Sequence, residues 1–439
     1  MKLLRKTELL HTSLFIILYS LFFMPQIPTI TNALVMQGSS ADVSRLTLLV
    51  GLIIDERQIA WGECILPTAD SDRDGRLNES IHILQEIIIP VLIGQPLANI
   101  TALMERIDRM EREVTVVRPI TADSPPPRRS RRELLVSLIN LEEEIREVVK
   151  RPLPLELRNG VSQALFSAAA IVEGVSNVEA VSRLYSLEAA KTPLPTHLLF
   201  DDLPNPNDPM LMRTTAVSFG LAVGDDDPIK ELGQNSVRFQ NRVRQLKNRV
   251  VRYHNHNTTQ PETAFLFDLK GGYGPLYEYQ MGQILGALNG LEQVTKPYPL
   301  RLVDPVILDD RADQIAMMKE LQSFVRIRKM NTALIARSWI ETADEIHLLA
   351  DNDCCSGVLL DMSQLGTLHR TVELALAAKE RGLMVILAGV SGGGKPGKAA
   401  VHTALALKPA LLAVGAGEYA AVSDEMNRTL AWLEYKINN

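Results

Sequence analysis

From about residue 191 onward, short apolar runs alternate with stretches that have the apolar spacing of helices. Six of these runs are plain, and they are residues 264–267, 300–303, 333–336, 357–360, 384–387 and 411–414. Helices fit the intervals 276–291, 310–324, 342–350, 367–381 and 397–407. Strands that alternate regularly with helices are typical of βα units and a parallel sheet.

Two further runs, 194–200 and 249–254, bring the number of strands to the eight that close a (β/α) barrel. An open doubly wound sheet is the alternative, and it is less favoured because no Gly-x-Gly-x-x-Gly turn follows an early strand. We therefore predict a TIM-type barrel over residues 191–415. A C-terminal segment, 416–439, is expected to return to a cap domain.

Residues 35–190 are predicted to form that cap, which is a smaller α+β domain. The runs 46–54 and 58–65 favour strands, and the polar turn between them indicates a hairpin. Apolar spacing predicts helices over the segments 80–92, 100–113, 132–150 and 159–173.

A Pro- and Arg-rich segment, 121–132, interrupts the cap. Triple proline blocks a helix and four arginines repel one another, so we expect an exposed loop. A nucleic-acid-binding arm is the sharper alternative. It is less favoured because no aromatic side chains are interleaved for stacking on bases.

Residues 1–34 form a hydrophobic N-terminal segment. Basic residues precede the apolar run 13–24, which is the arrangement of a signal peptide or membrane anchor. Its aromatic and β-branched residues equally favour a buried first strand of the cap. We expect a cytoplasmic protein, with export or membrane anchoring through residues 13–24 as the alternative.

Composition excludes several classes of protein. Hydrophobic residues make up 46% of the chain and charged residues 22%, which is ordinary for a globular protein. A net charge of −6 gives no global reason to bind nucleic acid. Three cysteines without a Cys-x-x-Cys pair form neither a disulfide framework nor a structural zinc site.

Chemistry in such barrels lies where the strands end at their carboxyl face. The residues at these ends are Asp268, Asp304, Arg337, Asp361 and the glycine-rich segment from Ser391 to Lys395. Several carboxylates in one ring repel one another unless a cation or a base shares the site.

Other candidates keep two interpretations each. His197 is either a barrel-facing ligand contact or a core histidine. His254 and His256 share one strand face, as metal ligands do, or they mark an exposed strand end. The segment from Ser391 to Lys395 is a candidate substrate or phosphate contact, although it lacks the full Gly-x-x-x-x-Gly-Lys-Ser/Thr pattern.

Segments from about residue 46 to the end, taken in order, resemble the methylaspartate ammonia-lyases of the enolase superfamily. They are residues 58–64, 89–94, 160–165, 267–274, 300–305 and 423–428. The resemblance implies a capped barrel, a homodimer, and Mg²⁺-dependent elimination of ammonia from 3-methylaspartate to give mesaconate.

The resemblance also implies where the metal carboxylates fall. The first is Asp268, the second is Val303 or Asp304, and the third is replaced by Arg337. A cation in place of a metal carboxylate repels Mg²⁺, and its own positive charge takes the place of the charge of the metal. We therefore expect Mg²⁺ binding to be weak or absent.

The same resemblance puts the family's base lysine at Asp361, and its barrel histidine near Gly220. A positioned acid or base is typically worth about 10²–10⁴-fold in rate, so both losses are severe. Lys270 and Lys395 are candidate replacement bases or, more simply, solvated loop lysines.

Two functions remain open from the sequence. One is a protein that has lost the family's reaction and acts as a dimer or binds a partner. The other is an enzyme with remodelled carboxylate chemistry in which Asp361 and Arg337 are catalytic and Ser391, Lys395 and His197 contact substrate. A small dicarboxylate or amino acid is the expected ligand.

The sharpest expectation concerns Arg337. A guanidinium cannot lose its proton, and leaving it unpaired out of water is costly. We therefore predict that Asp268 or Asp304 lies within hydrogen-bond distance of Arg337 and that this pair occupies the place of the metal.

Overall fold

The computed structural model describes residues 28–38, 46–66, 73–119, 144–224, 227–254, 263–389 and 398–438. The predictions for residues 13–24, the loop 121–132, Ser391, Lys395 and His256 lie outside these ranges.

The cap begins with a three-stranded antiparallel sheet of β1 (Ile30–Gln37), β2 (Leu46–Ile54) and β3 (Gln58–Leu66), which confirms the predicted hairpin. The elements that follow are α1 (Arg73–His82), a π-helical turn (Ile83–Ile88), α2 (Ile89–Leu92), α3 (Ile100–Asp108), the paired strands β4 (Glu111–Pro119) and β5 (Glu144–Pro152), α4 (Leu155–Glu173) and α5 (Asn177–Leu184).

Eight parallel strands then close into the predicted barrel. The strands are β6 (Thr196–Phe200), β7 (Ser218–Leu221), β8 (Ala264–Asp268), β9 (Leu300–Val303), β10 (Thr332–Ala336), β11 (Gly357–Asp361), β12 (Met384–Ala388) and β13 (Leu411–Gly415). The last strand, β13, pairs with β6, with Leu412 opposite Thr196.

Helices lie between the strands and after the last of them. They are α6 (Pro209–Arg213), α7 (Pro228–Leu232), α8 (Val237–His254), α9 (Tyr273–Leu276), α10 (Met281–Thr295), α11 (Arg311–Ile327), α12 (Ala343–Asp351), α13 (Leu368–Glu380), α14 (Lys398–Leu407) and α15 (Tyr419–Asn438). Near the end of α15, Lys436 Nζ lies 2.8 Å from Glu179 Oε1 on α5. The domain boundaries at 34, 190 and 415 stay predictions.

The barrel interior is an apolar layer with one polar corner. Six consecutive strands, β8 to β13, each contribute one buried apolar side chain: Leu266, Val303, Ile335, Leu359, Ile386 and Leu411. The two remaining strands contribute His197 and Ser218, whose side chains contact each other. This layer fills the barrel, so ligands have access only at its ends.

One predicted barrel strand is wrong because helical packing overrides a local preference for strand. Residues 249–254 end helix α8 instead of forming the second barrel strand, since Phe239, Val243, Leu246 and Val250 continue a buried helical stripe. The second strand is β7, whose four residues include Gly220 and give a weak signal.

The cap hairpin of β4 and β5 was also missed. The predicted helix 100–113 ends at Asp108, and residues 144–150 of the predicted helix 132–150 are strand. Both strands are rich in valine and in charged residues, and Val114 lies opposite Val149 in the register. Cross-strand pairing therefore overrides the helical spacing.

Helix α4 packs unusually close to the cap sheet, and two glycines make this possible. A Cβ built on Gly62 would lie 1.9 Å from the carbonyl oxygen of Gly160. A Cβ on Gly160 would lie 2.3 Å from Cys64 Sγ. Backbone therefore rests on backbone at this crossing, and neither position has room for a side chain.

A buried polar stripe on α4 docks the cap on the barrel. Asn159 Nδ2 donates to the carbonyl oxygens of Met362 at 2.6 Å and Gly366 at 3.2 Å, both in the segment after β11. Leu368 N donates to Ser162 Oγ at 2.8 Å, so Ser162 satisfies an open donor at the start of α13.

Among the described residues, no single helix has the length and apolarity to cross a membrane. Helices α4 and α5, which meet at 95°, reach that length and composition only when taken together.

We predict that Gly62→Ala destabilises the fold by about 1–3 kcal/mol, because the new methyl group meets backbone atoms that cannot move independently. Gly286→Ala is the matched control. Gly286 is an exposed position of α10 with open space around it, and alanine there should raise the free energy of unfolding by about 0.5–1 kcal/mol. Urea unfolding measures both changes, and equal stabilities for the two variants would contradict the close packing.

Candidate functional site

Three chemistry-bearing residues follow the interior layer at the carboxyl ends of their strands. Side chains alternate along a strand, so the residue two positions after an inward-facing residue also faces inward. Asp268 and Asp361 follow Leu266 and Leu359 in this way, and Arg337 follows Ile335. We call the rim that carries these three residues, together with Asp304 at the end of β9, the barrel mouth.

An ion pair between Arg337 and Asp268 lies across the barrel mouth. Arg337 Nη1 donates to Asp268 Oδ2 at 2.5 Å, and the two side chains are 35% and 19% exposed. The other carboxylate oxygen of Asp268 accepts from Lys270 N at 3.0 Å. The predicted carboxylate partner of Arg337 is therefore confirmed, and both oxygens of Asp268 are engaged.

The charge of Arg337 is fixed by its surroundings. Burial alone would lower the pKa of the guanidinium, but the negative charges of Asp268, Asp361 and Asp304 together outweigh it. The pKa of Arg337 is therefore raised above its ordinary value, and the side chain remains a cation at every physiological pH.

Asp304 does not face the barrel interior, because Val303 already takes the inward position of β9. Its Oδ1 accepts from Arg337 N at 2.9 Å, and its Oδ2 accepts from the backbone N and Oγ of Ser338, both at 2.7 Å. The carboxylate predicted as a metal ligand instead holds the loop that carries Arg337. Burial raises the pKa of Asp304 to about 6, although these hydrogen bonds favour the charged form.

Asp361 stands where the resemblance puts a base lysine. Its Oδ1 accepts from Ser363 N at 3.0 Å and from Ser363 Oγ at 2.6 Å. A Cβ on Gly389 would lie 2.3 Å from the same oxygen, and Gly389 has φ of +75°, so only glycine fits there.

These side chains do not fit a divalent cation. The described residues contain no group of three or more His, Cys, Asp or Glu side chains that could hold a metal ion. Asp268 and Asp304 have both oxygens engaged, and the guanidinium of Arg337 lies against Asp268. The donor set therefore suits an internal ion pair and polar ligands, and Mg²⁺ at this position would face a cation.

His197 lies inside the barrel below the mouth. It is 1% exposed, and its Nδ1 is 3.0 Å from Ser218 Oγ. Burial and the nearby charge of Arg301 lower the pKa of His197 to about 3, so the imidazole is neutral. This burial fits the core interpretation of His197 and argues against the predicted contact with substrate.

Ser338 and Ser363 were not singled out from the sequence. Ser363 follows Asp361 by two positions, which is the spacing of an Asx turn, and Lys270 follows Asp268 in the same way. This two-residue spacing in the sequence could have predicted the orientation of the Asp268 and Asp361 carboxylates. No sequence pattern pointed to the bond between Ser338 and Asp304.

We predict that the stability contributed by Asp304 depends on pH. The pKa of Asp304 in the folded protein is raised from 3.8 to about 6, so the folded state holds a proton that the unfolded state releases. The stabilisation is complete below about pH 4 and is lost as the pH rises through about 6.

Asp304→Asn has no titrating group at this position. The free energy of unfolding of the wild type should fall relative to this variant by up to about 3 kcal/mol between about pH 4 and pH 7. The exposed control Asp309→Asn should follow the wild-type profile. Parallel profiles for Asp304→Asn and the wild type would contradict the burial argument.

Comparison with known proteins identifies the family of this chain. A family model described as "Methylaspartate ammonia-lyase C-terminus" matches residues 202–435. Methylaspartate ammonia-lyase 2 of Carboxydothermus hydrogenoformans is 24% identical over 399 residues, which are 88% of this chain and 86% of that protein. The methylaspartate ammonia-lyase of Clostridium tetanomorphum is 20% identical over 342 residues, which are 77% of this chain and 73% of that protein.

Solved structures share the fold. Citrobacter amalonaticus methylaspartate ammonia lyase containing (2S,3S)-3-methylaspartic acid superposes with a TM-score of 0.69 and 19% identity, over 92% of this chain and 100% of the other. Muconate cycloisomerase from Pseudomonas fluorescens superposes with a TM-score of 0.57 and 16% identity, over 87% of this chain and 84% of the other. Because the family model matches more than half of the sequence, this chain belongs to the methylaspartate ammonia-lyase family of the enolase superfamily.

Proposed function

We propose that this chain no longer eliminates ammonia from 3-methylaspartate and instead binds a small amino-acid-type ligand at the barrel mouth without a metal. The observation that carries the proposal is the ion pair between Arg337 and Asp268, which places a permanent cation among the strand-end carboxylates. The proposal extends the family assignment to this chain's own residues.

The reaction of the family needs two things that these residues do not supply. A proton beside a carboxylate is very weakly acidic, and its removal needs a strong positive charge on that carboxylate together with a placed base. Asp361 replaces the base lysine and accepts hydrogen bonds from Ser363. The charge of Arg337 is partly neutralised by Asp268.

Ligand binding is supported by the hydrogen-bonding groups that remain open. Within the described residues, the side chain of Arg337 uses only Nη1, so Nη2 and Nε are available to a carboxylate. Asp361 Oδ2 accepts no hydrogen bond from a described residue and suits an ammonium group. A molecule with both groups, such as an acidic amino acid, matches this pattern better than a plain dicarboxylate.

Further expectations belong to the same proposal. Ser391 and Lys395, which follow β12, remain candidate substrate contacts. The homodimer implied by the resemblance also remains a proposal, and sedimentation at micromolar concentration tests it.

We predict metal-independent binding of (2S,3S)-3-methylaspartate by isothermal titration calorimetry in the presence of EDTA. Arg337→Gln removes the donor for the ligand carboxylate and should weaken binding by about tenfold or more. The control Arg326→Gln removes an exposed arginine paired with Asp353 on the barrel exterior and should bind like the wild type.

Methylsuccinate, which lacks the amino group, distinguishes the two ligand classes. Weaker binding of methylsuccinate supports the amino-acid class, and tighter binding favours a dicarboxylate. Binding that requires Mg²⁺, or that is unchanged in Arg337→Gln, would overturn the proposal.

We predict no detectable formation of mesaconate from 3-methylaspartate with Mg²⁺, because Asp361 stands in place of the base lysine and Arg337 stands in place of one metal carboxylate and pairs with another, Asp268. Ultraviolet absorbance of the product measures the rate. Turnover within about a hundredfold of an ordinary enzyme rate of ~10 s⁻¹ would contradict the loss of activity.

Arg337→Asp removes the cation and adds a carboxylate, so this variant should gain weak Mg²⁺ affinity that the wild type lacks.

A further inference from the structure

A cavity lies at the junction of cap and barrel, apart from the barrel mouth. It has a volume of about 610 Å³, and none of the four barrel-mouth residues lines it. The segment 152–158 forms its cap side, and the loops after β10 and β11 form its barrel side. We call it the junction cleft, and its volume lies in the range of small-molecule sites, about 300–1,000 Å³.

One wall of the junction cleft has a surplus of positive charge. Asp108 Oδ1 lies 3.3 Å from Arg158 Nη1, and Asp108 Oδ2 lies 4.0 Å from Arg370 Nε. The same carboxylate also accepts from the backbone N and Oγ1 of Thr367. Among these three side chains, a single carboxylate therefore serves two guanidinium groups, and the negative charge of Glu156 also acts on Arg158.

Arg158 carries an unused donor at this wall. The residue is 6% exposed, and within the described chain its Nε has no hydrogen-bond partner. A buried guanidinium N–H without an acceptor is costly. The Arg370 side chain is 34% exposed, so its guanidinium is the group on this wall that an anionic oxygen entering the junction cleft can reach.

The remaining walls are acidic and apolar. Glu156 and Glu341 line the cavity, and no described residue donates a hydrogen bond to either carboxylate. With Asp108, Arg158 and Arg370, the lining has three carboxylates and two guanidiniums, a formal charge of −1. Leu153, Leu155 and Ile340 supply apolar surface to the same cavity.

We propose that the junction cleft binds a basic amino acid, a molecule with one carboxylate and two amino groups on an aliphatic stem. Its net charge of +1 complements the lining. The carboxylate pairs with Arg370, the amino groups pair with Glu156 and Glu341, and the stem packs on Leu153, Leu155 and Ile340. The inference is independent of the function proposed for the barrel mouth.

Isothermal titration calorimetry with three probes tests the chemistry of the junction cleft. L-lysine carries all three charged groups, norleucine lacks the side-chain amino group, and cadaverine lacks the carboxylate. We expect L-lysine to bind about tenfold or more tightly than either analogue, because each charged pair contributes separately. Absence of heat from L-lysine at about 10 mM, or equal affinity for all three, would overturn the proposal.

Variants locate the binding site. Glu341→Gln and Arg370→Gln change partly exposed side chains and should each weaken L-lysine binding by about tenfold or more. Arg337→Gln at the barrel mouth and Arg326→Gln on the exterior should leave it unchanged. Loss of L-lysine binding in Arg337→Gln would assign it to the barrel mouth and contradict the junction cleft. Unchanged L-lysine binding in Glu341→Gln would also contradict the junction cleft, and this test holds even if Arg370→Gln fails to fold.

Discussion

The arginine at the end of β10 determines how the barrel mouth is organised. Its guanidinium cannot be neutralised by losing a proton, so a carboxylate must lie beside it. Asp268 takes that position from β8, two strands away, and Asp304 holds the backbone of Arg337 and Ser338 from the outer side. One aspartate thus pairs with the charge and the other fixes the loop that carries it.

The cap contributes to this arrangement without supplying a described charged group to the barrel mouth. Asn159 and Ser162 on α4 hold the segment that runs from Met362 to Leu368, directly after Asp361. Asp108 at the end of α3 binds Thr367 in the same segment. Cap and barrel are therefore joined by buried hydrogen bonds whose loss would leave unsatisfied polar groups, and the loop after β11 depends on both domains.

The sequence predicted all the barrel strands except one, because apolar runs between helices are a strong signal. It missed β7, whose four residues are too few to show a period, and it assigned the β-branched end of α8 to a strand. At the barrel mouth, strand-end position was enough to find Asp268, Arg337 and Asp361. Strand-end position did not predict the orientation of Asp304. Side chains alternate between inward and outward along a strand, so an error of one residue in the strand end reverses the predicted orientation, and Val303 is the inward-facing residue of β9.

The fold and the barrel mouth depend on different residues. The six apolar side chains of the interior layer fill the barrel below the mouth, and the buried apolar area there stabilises the fold whichever charges lie above it. Substitutions at the next inward positions change charge while removing little of that area. Family membership therefore follows from the interior, whereas function follows from the rim. At this rim Arg337 is a permanent cation that is partly exposed beside Asp268, so it can attract a ligand carboxylate at every physiological pH.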